Sequence, residues 1–286
     1  MVAFVLSGGA SLGAIEAGML AALYEHEIAP DLIVGTSAGA LNGAFIASRP
    51  PSPQTAAELS DQWRATHTFE VFPPNPFTAA LGLIGEDDHL VSNSGVKRIL
   101  QSRQQFRRLE DASVSFHVIA TDVLTGAKRR LSTGDALGAV LASAAIPGVF
   151  PSIRFQDRQL VDGGVAENTP IADAVELGAD TVYVLPTGAP CTLREPPRGA
   201  IAMLVHALAL LINQRLAQDI AHYSSLVRMI VFPPPCPQPV PAWDFDHAAE
   251  LIAAGYRSAT EVLSSGEPGH PRWHELAVGR LTPHAH

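Results

Sequence analysis

Two short apolar runs, residues 2–6 and 32–34, each lead through a glycine-containing turn into a segment with helical spacing. The first such segment carries Ile15, Met19, Leu20 and Leu23, and the second is rich in small residues as far as Ser48. Further strand-like runs occupy residues 114–120, 159–161, 181–185 and 229–232, with a helical stretch over 171–177. Strands alternating with helices predict an α/β fold, a largely parallel central sheet covered by helices on both faces. Residues 204–226 place Leu204, Leu208, Leu211, Ile212, Leu216 and Ile220 at helical spacing, which predicts a core helix packed on the sheet. Residues 248–263 read as a terminal helix.

Two stretches break the pattern. Residues 69–85 combine Phe69, Val71, Phe72, Phe77, Leu81, Leu83 and Ile84 with Pro73, Pro74, Pro76, Gly82 and Gly85. They read as a long apolar loop, either packed on the core or mobile over a site. Residues 233–241 form a proline-rich connector.

Composition narrows the partners. A net charge of −9 argues against nucleic acid, which needs a Lys/Arg surface, and against a broadly cationic membrane-binding face. Two cysteines, Cys191 and Cys236, make a disulfide framework improbable and suit a reducing compartment. His270 and His274 have i,i+4 spacing with Glu275 alongside, but Gly269 and Pro271 favour surface histidines over a metal face. The longest apolar stretch, residues 199–212, falls short of the ~20 residues that span a bilayer. The N-terminus lacks the basic region of a signal peptide. The expected location is the cytoplasm, with signal-less export left open.

The chemistry concentrates in the turns. Gly35-Thr36-Ser37-Ala38-Gly39 fits G-x-S-x-G, a sharp strand-to-helix turn that presents a serine nucleophile where flanking side chains would collide. The helix that follows aims its N–H groups at the same point. The turn Ser7-Gly8-Gly9-Ala10-Ser11-Leu12-Gly13 could be a dinucleotide loop, but Ala10 stands where G-x-G-x-x-G needs glycine. Asp31, at about the distance of a ribose-binding acid, precedes its strand instead of ending it. As an oxyanion hole, the amides of Gly8, Gly9, Ala10 and Ser11 would act with that of Ala38, and this reading explains both turns at once. A serine needs a base. Asp162, followed by Gly163 and Gly164, and Asp122 both end strands, and spacing alone does not separate them.

At these residues the sequence resembles the patatin-like phospholipase family. The resemblance rests on four ordered blocks: residues 6–13, residues 35–39, Ser143-Ala144-Ala145-Ile146-Pro147-Gly148-Val149-Phe150-Pro151, and Asp162-Gly163-Gly164. It covers about residues 2–185, within an expected patatin-like domain over residues 2–190 that is followed by an expected helical extension over 191–286 packed on the same core. It also implies a Ser–Asp dyad without histidine, with Ser37 as nucleophile and Asp162 as base. Gly8, Gly9, Ala10, Ser11 and Ala38 would form the oxyanion hole, and Gly13, Gly35, Gly39, Gly163 and Gly164 are motif glycines. The implied activity is hydrolysis of lipid acyl esters, with no metal or other cofactor. The implied partners are a lipid or other acyl ester and, transiently, a membrane surface. The alternative is a non-catalytic lipid- or nucleotide-binding protein on the same scaffold. Two positions depart from the family pattern. Ala10 replaces a glycine, and its N–H can serve if its φ is negative. Leu12 replaces a cation, which favours neutral esters over anionic phospholipids.

Overall fold

The computed structural model describes residues 1–103, 105–188, 195–236 and 240–265. The elements in chain order are β1 (Val2–Leu6), α1 (Gly13–Glu25), β2 (Leu32–Thr36), α2 (Ala38–Ile46), α3 (Pro53–Arg64), α4 (Thr68–Val71), α5 (Pro76–Ile84), α6 (Ser94–Arg103), β3 (Ser115–Asp122), β4 (Lys128–Leu131), α7 (Ala136–Ser143), β5 (Ile153–Phe155), β6 (Arg158–Asp162), α8 (Ile171–Glu176), β7 (Thr181–Leu185), α9 (Ala200–Tyr223), β8 (Arg228–Val231) and α10 (Ala248–Ser265). Strands β3, β2, β1, β7 and β8 form a parallel sheet, extended by antiparallel β4, β6 and β5. The fold is α/β, with a central sheet flanked by helices.

Alternation along each strand divides the core in two. In β1, Phe4 and Leu6 face the cluster under α1, α2 and α3, while Ala3 and Val5 face the cluster shared with α8 and α9. Helix α10 packs on α1 so closely that a Cβ on Gly18 would lie 2.0 Å from the Ile252 carbonyl oxygen. A Cβ on Gly255 would lie 2.1 Å from that of Ile15, so only glycine permits this crossing.

Register brings the site together. Strand β3 is longer than β2: its last partner in β2 is Thr36, opposite Ile119. The next residue, Ala120, pairs with Asp162 of β6 on one side and Arg129 of β4 on the other. Strand β6 therefore continues the lane of β2 from the opposite direction. Asp162 arrives one register step beyond Thr36, which is beside Ser37.

Three expectations are corrected. Residues 69–85 are not a loop, because α4 and α5 occupy most of them. Asn75 caps α5 by accepting from the amides of Phe77 (3.0 Å) and Thr78 (3.3 Å), Pro76 is its first residue, and Gly85 ends it at φ +82°. The presumed breakers are helix boundaries. Helix α9 is a core helix only in its second half. Leu216 and Ile220 are buried against the sheet, whereas Leu204, Leu208 and Leu211 are exposed. A 24-residue helix is about 36 Å long, and a five-residue strand is about 17 Å, so α9 outruns the sheet it covers. Finally, Cys236 is disulfide-bonded, against the expectation of reduced thiols. Cys191, His270 and His274 lie outside the described residues.

Candidate active site

The turn between β2 and α2 holds Ser37 at φ +53°, ψ −118°, a strained backbone for a non-glycine residue. Gly35 and Gly39 permit it: a Cβ on Gly39 would lie 2.3 Å from the Leu6 carbonyl oxygen, and one on Gly35 2.6 Å from that of Gly39. Ser37 Oγ donates to Asp162 Oδ2 at 2.6 Å. The other oxygen, Asp162 Oδ1, accepts the Gly164 amide at 2.7 Å. Both side chains are buried. Burial pushes the Asp162 carboxyl up to about 6, against the opposing pull of the Ser37 hydroxyl and the Gly164 amide.

Of the two aspartates that end strands, Asp162 bonds to Ser37 and Asp122 is engaged elsewhere. Asp122 is ion-paired with Arg158 (2.8 Å) and Arg129 (3.3 Å). Arg158 foremost holds its carboxyl down at about 2. Its oxygens also accept the amides of Leu124 and Thr125, so Asp122 organises the β3–β4 turn.

Residues at the end of α7 and just beyond it tie the pair in place. Ser143 Oγ accepts the Ser37 amide (2.8 Å) and donates to the Ile119 carbonyl (2.5 Å). The Ala145 carbonyl accepts the Asp162 amide at 2.9 Å, and Thr121 Oγ1 donates to the Asp162 carbonyl at 2.8 Å. Ser143→Ala strands the buried Ser37 N–H. The expected result is a loss of about 1–3 kcal/mol of stability, read as a lower urea midpoint at unchanged m-value. A loss under ~0.5 kcal/mol would show that the bond is dispensable.

The glycine loop lies across from Ser37, and its amides divide. That of Gly8 donates to the Asn168 carbonyl and that of Ser11 to the Ala242 carbonyl, both at 3.0 Å. Those two are committed. Among the described residues the amides of Gly9, Ala10 and Ala38 have no acceptor, and Ala10 and Ala38 line the cavity beside Ser37. The condition attached to Ala10, a negative φ, is not met, since its φ is +51°, yet its amide is without an acceptor among the described residues and the residue lines the cavity, so the N–H stays available. A left-handed alanine costs about 1–2 kcal/mol, a strain that glycine at this place would not carry. Gly13 opens α1 against Ala38, and Gly163 passes under the Ile119 carbonyl. Leu12 packs on the core cluster and is not among the residues that line the apolar cavity. Asp31 accepts the Val2 amide at 2.8 Å, at the end of β1 away from the glycine loop, where a ribose-binding acid has no use.

From Ser37 an apolar cavity runs between α2, α3 and α6, bounded by Leu41, Phe45, Leu59, Trp63, Ile99 and Phe150 among others. It can take a hydrocarbon chain whose carboxyl end lies at Ser37. The sequence reading missed the polar frame around it. Glu16, fully buried, accepts the Ser7 amide (2.6 Å) and Asn42 Nδ2 (2.8 Å), and Asn42 Oδ1 accepts Trp63 Nε1 (2.8 Å). Burial raises the Glu16 carboxyl well above the usual range. The available signal was a lone acid in the apolar run Gly13-Ala14-Ile15-Glu16-Ala17-Gly18.

The comparisons with known proteins concern this same part of the chain. Residues 4–175 match the family described as Patatin-like phospholipase, which is more than half of the sequence. Patatin-like phospholipase domain-containing protein 7 of Mus musculus is 29% identical over 189 residues, 65% of this chain and 14% of that protein. Lysophospholipase nte1 of Aspergillus terreus is 27% identical over 194 residues, 65% of this chain and 12% of that protein. The chain thus spans only a small part of the length of the curated relatives it matches. VipD from Legionella pneumophila aligns with a TM-score of 0.48 at 15% identity, covering 92% of this chain and 66% of that one. The matched residues contain the glycine loop, the serine turn and the Asp162 strand, and the chain belongs to the patatin-like phospholipase family.

Proposed function

We propose that the protein is a lipid acyl hydrolase in which Ser37 is the nucleophile and Asp162 the general base. The observation that carries this reading is the 2.6 Å hydrogen bond from Ser37 Oγ to Asp162 Oδ2 at the head of an apolar cavity. Asp162 accepts the Ser37 proton as Ser37 Oγ attacks the acyl carbonyl. The developing oxyanion meets the unpaired amides of Gly9, Ala10 and Ala38, the positive end of α2 among them. The proton passes to the departing alcohol, and water, deprotonated by Asp162, releases the acyl group from Ser37. Asp162 does without a histidine because desolvation already makes its carboxylate more basic than one in water. The scheme calls for no metal or cofactor. A fluorophosphonate probe should label the protein but not Ser37→Ala, with hydrolysis of a lipid panel as the second readout. A folded protein that neither labels nor hydrolyses any ester would leave the non-catalytic alternative.

The same reading includes transient contact with a membrane surface. Among the described residues no helix is long and apolar enough to cross a membrane. Yet Phe77, Leu83 and Ile84 of α5 and Leu204, Leu208 and Leu211 of α9 are exposed. Fully burying one such side chain is worth about 1.5–3 kcal/mol. Replacing Phe77 and Leu83 by serine should therefore cut binding to neutral phosphatidylcholine vesicles at least about tenfold. Hydrolysis of a short soluble ester should change far less. Equal loss on both would mean that α5 only supports the fold.

A further inference from the structure

The wall of the cavity opposite α2 is closed by a residue from far along the chain. Phe245 lies beyond the proline-rich connector and outside the residues that match the family. Its ring, buried, stacks on Trp63 (centroids 6.1 Å apart, planes at 10°) and meets Phe72 edge-on (5.8 Å, 70°). Phe72 in turn stacks on Phe150 (5.5 Å, 10°). All four rings line the cavity that starts at Ser37.

The segment that carries Phe245 is fastened at both ends. At one end, Ser11 of the glycine loop donates its amide to the Ala242 carbonyl (3.0 Å) and its hydroxyl to the Pro241 carbonyl (3.2 Å). At the other end, the Phe245 amide donates to Thr68 Oγ1 (3.0 Å). Asp246 there accepts from Thr68 Oγ1 (3.0 Å) and bonds His67 Nδ1 (2.8 Å). The backbone on either side of Phe245 is thus held to the glycine loop and to α4, and its buried ring is packed against Trp63 and Phe72.

We propose that residues 241–246 are a strap that sets the length of acyl chain the site accepts, with Phe245 as the specificity-determining side chain. The proposal rests on the reading of Ser37 as nucleophile and of the cavity as the acyl site. Interiors are close-packed, so a ring in the cavity wall excludes hydrocarbon that would otherwise enter. Phe245→Ala removes a six-carbon ring and opens room for about two to four more methylenes. Each methylene that becomes buried improves binding by about fourfold.

The test is the chain-length profile of kcat/KM on p-nitrophenyl esters from acetate to palmitate, for the unaltered protein and for Phe245→Ala. The expected result is an optimum moved to longer chains, with the long-to-short ratio raised about tenfold or more and the change residing mainly in KM. If the alanine variant fails to fold, Phe245→Leu keeps an apolar side chain between Trp63 and Phe72 and should show a smaller shift in the same direction. An unchanged profile in a folded variant with a lowered Tm would overturn the strap and make Phe245 simple core packing. No hydrolysis of any ester by the unaltered protein would remove the reading beneath it, a separate and recognisable outcome.

Discussion

Ser37→Ala and Asp162→Asn are each expected to lower kcat/KM on an acyl ester by at least about 10⁴-fold, in variants that remain folded. The double variant should be scarcely worse than either single one, because a nucleophile and its base act as one unit. No histidine among the described residues bonds to Ser37 or Asp162, and none lines the cavity. Single His→Ala changes at all eleven histidines should therefore leave activity within a few-fold of the parent. A folded His→Ala variant as inactive as Ser37→Ala would replace the dyad with a triad.

The parallel centre of the sheet was legible because its strands are buried on both faces. Runs such as Val2 to Leu6 and Thr181 to Leu185 have no polar face to confuse with a helix or a loop. Strand β4 was not legible. It reads Lys128-Arg129-Arg130-Leu131, and a charge run of that kind is usually solvent-exposed surface. Here Lys128 reaches the buried carboxylates of Glu167 and Asp173, and Arg130 shares Asp173, so tertiary ion pairs draw the basic run into the sheet. Helix α5 was hidden by Pro76 and Gly85, residues that interrupt a helix from inside and delimit it from its ends.

The candidate site divides along the same line. Ser37 stood out locally as a candidate, in a turn that needs glycines, whereas Asp162 stood level with Asp122. The choice of Asp162 over Asp122 had no local signal. It depends on β3 outrunning β2, which lets β6 enter the lane of β2, and that is a property of register between distant strands. Phe245 was invisible for a similar reason. A single aromatic residue after a proline-rich stretch carries no periodicity, and its meaning lies in Trp63 and Phe72, more than 170 positions away.

Asp162→Asn should also make the protein more stable, and in a manner that depends on pH. Burial raises the Asp162 carboxyl from its ordinary 3.8 to about 6. Between those values the folded state holds a proton that the unfolded state has released, so stability falls as pH rises through the window. The penalty is absent below pH ~3.8 and complete above pH ~6, where it amounts to about 3 kcal/mol. Asparagine can still accept the Gly164 amide and does not ionise. The variant should therefore exceed its parent by about 3 kcal/mol at pH 8, several degrees in Tm, and lose that advantage near pH 4. Activity of the parent follows the opposite limb. Only the carboxylate can accept the Ser37 proton, so kcat/KM should climb with pH and reach half its plateau near pH 6. A limb centred near pH 4, together with a stability difference that does not change between pH 4 and pH 8, would mean that the Asp162 carboxyl is solvated. The basicity that lets an aspartate do without histidine would then need another source. If both curves turn near pH 6, the desolvation that destabilises the fold is the same one that activates Ser37.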